Sequence, residues 1–432
     1  MSRPTNGDRV QGLLGIAVFL LFAWGLGRWW RDGAAPVPWR LVVAGLLLQL
    51  LLALLFLDVP WAGRAFLALN RGVEALQAAS DQGTSLVFGY LGGGPPPFAA
   101  VHPENLYLLG FRALPMVLVI SALSSLLFYL GILQRLVGAI AFVLTRSMGI
   151  GGALGLGAAA HIFLGMIEAP LLIRPYLASM QRGEIFALMT VGMAGIAGTV
   201  MAIYAAILGP VLPGALGQII AASIIATPGG LAVAALMIPF TTGQSTDRTA
   251  ALTGGAPAGS APAGSAMEAV INGTRDGVVI LVNIVATLIV VVALVSLANQ
   301  ALSLLPPLLA APVTLQGLLS LAFRPVVWLM GVPAGQTQAA SLLLATKTIL
   351  NEFIAYLTLA QEPQGALDAR SIRIMTYRLC GFANFGSVGI MVGGMAAMVP
   401  QRRAEIAILG LRALRSGTLA TCISGALAGL LG

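Results

Sequence analysis

A solitary carboxylate, Glu168, stands in the run His161-Ile-Phe-Leu-Gly-Met-Ile-Glu-Ala-Pro-Leu-Leu-Ile-Arg-Pro-Tyr176, with no basic residue within five positions. Gly165 and Pro170 beside it fit a helix that breaks and turns, leaving backbone groups free to bind a ligand. Lys347, Asn351 and Glu352 form a second constellation. Asn384 and Ser387, inside Cys380-Gly-Phe-Ala-Asn-Phe-Gly-Ser387, form a third. Carboxylates, amides and a hydroxyl at helix interruptions suit the binding of a polar solute or a cation. Lys347 and Glu352, close to helical i,i+4 reach, read equally as a buried pair holding helices together. Thr346, Thr348 and Thr199 read as hydroxyls bonded back to helix carbonyls. Metal-ligand spacing, a P-loop and a Gly-x-Ser-x-Gly elbow are absent, and an intramembrane enzyme would lack a nucleophile–base pair.

The rest of the chain decides what solvent these residues see. It is 58% hydrophobic and 9% charged, with mean hydropathy +0.94. Globular domains carry about 25% charged residues, so this is an all-α polytopic membrane protein. At bilayer depth a carboxylate costs ~2.5–3.5 kcal/mol, which reserves Glu168 for a substrate, an ion or a proton. The net charge of +8 comes from 22 arginines and one lysine that punctuate apolar runs. Topology explains that pattern, and nucleic acid does not. Cys380 and Cys422 lie in apolar segments, which argues against a disulfide framework.

Eight spans of roughly bilayer length are predicted: 12–30, 40–57, 106–133, 186–208, 216–240, 277–297, 372–399 and 410–431. Residues 1–135 hold the first three spans and, near 61–76, a helix lying in the interface. After Gly92-Gly-Gly-Pro-Pro-Pro97, which can be neither helix nor strand, the third span begins. Segment 136–240 holds a re-entrant hairpin with its tip near Gly165–Pro170, then spans four and five. Within span four, Gly192-Met-Ala-Gly-Ile-Ala-Gly-Thr-Val200 fits either tight packing or local unwinding, and composition favours packing. Segment 241–266 is a Gly/Ala/Ser/Pro linker, 267–312 holds span six, and 313–432 repeats the hairpin and broken-span pattern. There the apolar pieces 314–330 and 339–359 flank a break at Gly331–Gln338. An external N-terminus places the arginine groups within 28–40, 135–182, 248–275 and 402–415 in the cytoplasm, 13 of the 23 basic residues. The two hairpins then enter from opposite sides, as in inverted-repeat transporters.

Four blocks resemble the concentrative nucleoside transporters. They are Glu168-Ala-Pro-Leu-Leu-Ile-Arg-Pro-Tyr, Thr346-Lys-Thr-Ile-Leu-Asn-Glu-Phe-Ile-Ala-Tyr356, Cys380–Ser387 and Leu409-Gly-Leu-Arg-Ala-Leu414. The resemblance covers about 160–210 and 325–430. It implies a homotrimer in a bacterial inner membrane, with a transport subdomain moving against a scaffold. It also implies nucleosides as substrates, imported with protons or sodium, and no cofactor beyond that ion. Substrate binding is thereby assigned to Gly165, Met166, Ile167, Glu168, Val200, Asn351, Glu352, Phe382, Asn384 and Ser387. Ion coupling falls to His161, Leu164, Glu168, Ile196 and Glu352.

The chain also departs from the family pattern. Gly165-Met-Ile-Glu168 replaces Gly-Gln-Thr-Glu, and Leu342 stands where the family pattern is expected to carry a ribose-facing Glu. The base end becomes apolar, which predicts weak base selection. Gln336 and Gln338, placed at the second hairpin tip, are the amides available to compensate. His161 replaces an Asn of the family's sodium site, and Gly195 removes a hydroxyl. Sodium prefers oxygen ligands, so proton coupling is expected, with sodium coupling as the alternative. His161 also reads as a residue that only caps or packs the hairpin. A member that binds but does not transport is the remaining alternative.

Overall fold

The computed structural model describes residues 6–30, 36–57, 60–99, 108–241, 264–306 and 312–431. Helices α1 (Asn6–Trp30) and α2 (Trp39–Leu57) are the first two spans, and α3 (Pro60–Phe88) is longer than the interfacial helix read from the sequence. A short α4 (Leu109–Arg112) leads into α5 (Met116–Tyr129), so the third span stops just before Gly131, whose φ is +73°. Then come α6 (Ile132–Met148) and α7 (Gly152–Ala160), a turn over 161–167, and the short helices α8 (Glu168–Leu172) and α9 (Arg174–Leu177). Nine residues of α7 rise only about 13 Å, less than half a bilayer core. This helix–turn–helix stands where the sequence predicts the first hairpin.

Span four is two helices, α10 (Arg182–Ala194) and α11 (Gly198–Leu208), with non-helical backbone between. The packing reading of its glycines is therefore corrected: the helix unwinds at 195–197. The freed groups find partners inside the protein, as lipid requires. Gly195 C=O accepts from Phe382 N–H at 3.1 Å, and Gly198 N–H donates to Phe163 C=O at 2.9 Å. Gly192 does pack tightly, since a Cβ there would lie 2.9 Å from the His161 ring.

Helix α12 (Ala215–Met237) is span five, and the linker residues 242–263 lie outside the described residues. Helix α13 (Ala266–Leu302) starts well before the predicted span six. Its N-cap Ser265 accepts from Glu268 N–H while the Glu268 carboxylate takes Gly264 N–H, a reciprocal cap at the predicted linker's end. Gly273 and Gly277 seat α13 against Ser121 and Leu118 of α5, with no room for a side chain at either position.

The second repeat runs through α14 (Leu315–Leu329), α15 (Thr337–Ile349), α16 (Glu352–Gln361), α17 (Ala369–Leu379), α18 (Phe385–Met398) and α19 (Arg403–Leu431). The predicted break at Gly331–Gln338 is present between α14 and α15, and a second turn at Leu350–Asn351, which the sequence reading did not place, joins α15 to α16. The amides expected to compensate in the site are engaged elsewhere. Gln336 bonds Asp368 at the start of α17, and Gln338 accepts from Arg324. Seven helical stretches among the described residues are long and apolar enough to cross a bilayer, counting α10–α11 as one. The predicted span 372–399 is the broken pair α17–α18, of which α18 is a shorter apolar helix.

Spans four and seven cross at their breaks. Gly381 has φ +154°, and a Cβ there would sit 2.8 and 2.9 Å from the carbonyl oxygens of Met193 and Ala194. Backbone oxygens cannot yield as a flexible side chain does. Gly381→Ala is expected to destabilise the protein by about 1–3 kcal/mol, read as a lower melting temperature of the purified protein. A wild-type melting temperature would show that the crossing is loose.

Candidate substrate and ion site

Two half-helix N-termini meet at Glu352. Asn351 and Asn384, both in extended backbone, cap α16 and α18: Asn351 Oδ1 accepts from Ile354 N–H at 3.0 Å, and Asn384 Oδ1 from Ser387 N–H at 2.8 Å. Asn384 Nδ2 then donates to Glu352 Oε2 at 2.9 Å, and the Tyr204 hydroxyl of α11 donates to Glu352 Oε1 at 2.8 Å. An ionised carboxylate accepts about four hydrogen bonds, so these two do not exhaust its acceptor capacity. The positive end of α16 adds to the field around the charge. Glu352, Asn384, Ser387, Tyr204 and Val200 are all buried, while Asn351 and Phe382 are half-buried.

Lys347 does not bond Glu352, so the ion-pair reading is corrected. It is fully buried, and its ammonium donates to Arg378 C=O, at the C-terminal end of α17, at 3.1 Å. A cation at a helix C-terminus is favourable, and here it stitches the second hairpin to span seven. Arg378 in turn donates to Thr421 of α19 at 2.8 Å. Thr348 bonds back to Leu344 C=O as read, but Thr346 and Thr199 make no such bond among the described residues. Leu342 lies mid-α15, roughly 12 Å along the axis from the Leu350–Asn351 turn, so its apolar side chain does not empty the cluster.

Glu168 opens α8 and is exposed, with no hydrogen bond or ion pair among the described residues. Its carboxylate lies over Gly165, in space any side chain there would need. Met166 is buried. Ile167 packs on α18, 2.9 Å from where a Gly394 Cβ would stand. The first hairpin tip is thus joined to span seven by apolar contact. His161 ends α7, 3% exposed, with its ring against Gly192 and its Nε2 without a hydrogen-bond partner. It bonds neither Glu168 nor Glu352. Ile196, at the break, is fully buried, and its N–H reaches Ser223 Oγ of α12 at 3.5 Å. Leu164 is half-buried in the turn.

The sequence reading missed Tyr204, Tyr356 and Ser223. Tyr356 donates to Thr376 C=O at 2.9 Å, and its ring lies 5.0 Å from that of Tyr204. A signal existed: a tyrosine hydroxyl deep in an apolar span must find a partner.

Polar groups at the broken centres of two repeated hairpin and span units define a secondary transporter of the discontinuous-helix class. Three family models match: "Na+ dependent nucleoside transporter N-terminus" over residues 14–91, "Nucleoside recognition" over 110–211, and "Na+ dependent nucleoside transporter C-terminus" over 218–429. The putative nucleoside permease NupX of Escherichia coli is 32% identical over 98% of both chains. The nucleoside permease NupC of Helicobacter pylori is 31% identical over 97% of this chain and 96% of its own. Rat sodium/nucleoside cotransporter 1 is 33% identical over 98% of this chain but 64% of its own length. Among solved structures, CNTnw in an inward-facing substrate-bound state is similar with a TM-score of 0.86, at 31% identity over 98% of both chains. The chain belongs to the concentrative nucleoside transporter family, whose members are cation-coupled transporters and not enzymes.

Proposed function

We propose that the protein imports nucleosides across a bacterial inner membrane by proton symport, as a homotrimer. The observation that carries the substrate reading is the Glu352 carboxylate, held by Tyr204 and Asn384 with acceptor capacity left over. Two adjacent acceptors suit the vicinal hydroxyls of a ribose. Glu168, unpaired at the first hairpin, supplies a second carboxylate, and the polar ends of Asn351 and Ser387 border the same helix starts. Met166, Ile167 and Leu164 offer no hydrogen bonds to a base, so purine and pyrimidine nucleosides should bind with similar affinity.

Proton coupling is supported by the chemistry at the span-four break. An imidazole whose Nε2 has no partner stands where an oxygen ligand is expected, and position 195 has no side chain. An imidazole nitrogen is a poor ligand for a hard cation, which disfavours sodium at this position. Sodium is the second reading, favoured by the matched "Na+ dependent" family models and by backbone carbonyls that any side chain would leave in place. The trimer is supported by α13. It buries little of itself beyond the α5 seam, and Val279 and Ile289 are 60% and 65% exposed.

A thermal-shift panel tests the substrate reading. A nucleoside at 100 times its dissociation constant should stabilise by ~2.7 kcal/mol, whereas free bases and 2′,3′-dideoxynucleosides should not. Stabilisation by free bases alone would contradict the role given to Glu352. For coupling, uptake driven by an imposed pH gradient without sodium should occur in wild type and be lost in His161→Asn. Sodium-dependent uptake indifferent to pH would establish the second reading instead.

A further inference from the structure

We infer that Tyr204 is the positioning residue through which the cation site controls the substrate site; this rests on the transport reading above. Helix α11 begins at the span-four break, where Gly198 N–H is bonded to Phe163 C=O of the first hairpin turn at 2.9 Å. An ion held between that turn and residue 196 therefore acts directly on the start of α11. Six residues further on, about 9 Å along the axis, stands Tyr204. It is 2% exposed, and its hydroxyl reaches Glu352 of the second hairpin at 2.8 Å. Its ring rests on Tyr356 at 5.0 Å and Phe353 at 6.0 Å, both on α16. One half-helix thus has the ion site at its start and the substrate carboxylate at the end of a side chain.

Asn384 cannot serve this purpose, because its position is fixed by the cap it makes on α18. Tyr204 moves with α11. An O–H···O bond weakens steeply beyond about 3 Å, so a sub-ångström shift of α11 decides whether Glu352 Oε1 is held. With α11 seated, the carboxylate is anchored on both oxygens and aimed before the nucleoside arrives. With α11 loose, one anchor is lost and the nucleoside must order the carboxylate itself, which costs affinity. Cation and nucleoside then raise each other's affinity by the same factor, as linkage demands.

The test uses the purified full-length protein with uridine and adenosine as probes. Dissociation constants are measured with sodium chloride or choline chloride, each at acidic and alkaline pH. In wild type the coupling cation should tighten binding. In Tyr204→Phe, binding with the cation should weaken roughly tenfold and binding without it by a clearly smaller factor, so the coupling factor falls toward one. A merely structural tyrosine would weaken both conditions alike. Hydrogen exchange on wild type supplies an independent arm: the cation should protect amides at 196–200 and also at 352–356. A wild-type coupling factor in Tyr204→Phe, or protection confined to 196–200, overturns the inference. Failure of wild type to bind either nucleoside under any condition overturns both the inference and the functional reading beneath it.

Discussion

Glu352→Gln should weaken nucleoside binding by roughly one hundredfold. The carboxylate accepts from Tyr204 and Asn384 and retains acceptor capacity for substrate hydroxyls. A glutamine keeps the shape but offers a single acceptor oxygen, and its amide N–H₂ must then oppose one of the two donors. Hydrogen bonds to a charged group contribute ~1.5–3 kcal/mol each. Losing two at the lower figure is about 3 kcal/mol, or roughly two orders of magnitude in affinity. Titration of purified protein with uridine and adenosine reads the change directly. A dissociation constant within about twofold of wild type would place the substrate elsewhere.

Glu168→Gln should slow uptake by at least about tenfold, with expression and assembly unchanged. The carboxylate stands exposed at the first residue of α8, over Gly165, and nothing among the described residues neutralises it. Such a group is costly at bilayer depth and stabilises no neighbour, so its removal should spare the fold and strike function. Initial rates in proteoliposomes decide the matter. Wild-type rates in Glu168→Gln would return this residue to a surface role.

The architecture was legible because lipid leaves few options. Apolar run lengths gave the spans, and Gly, Pro, Asn and Ser in mid-run marked the breaks at 161–170 and 380–387. Two features misled the reading. In span four, glycines that permit packing also permit unwinding, and only the partners of the freed groups, Phe382 N–H and Phe163 C=O, separate the two. In the second repeat the Gly331–Gln338 turn is real and stood out, while the further turn at Leu350–Asn351 did not. There the reversal is made by a capping Asn without glycine. Lys347 and Glu352 looked like a pair because spacing along one helix brings charges together, yet the turn at 350–351 separates them onto different helices. Tyr204 was missed for a related reason. Its partner is 148 positions away, and no local pattern encodes that contact.

Uptake of radiolabelled uridine and adenosine into proteoliposomes tests the central claim most directly. Purified wild-type protein is compared with Glu352→Gln and with protein-free vesicles, under an inward proton gradient and, separately, an inward sodium gradient. The account predicts accumulation of both nucleosides above equilibrium under the proton gradient, collapse of that accumulation by a protonophore, and none with Glu352→Gln. Gradient-independent equilibration, or no uptake by wild type under either gradient, would contradict it.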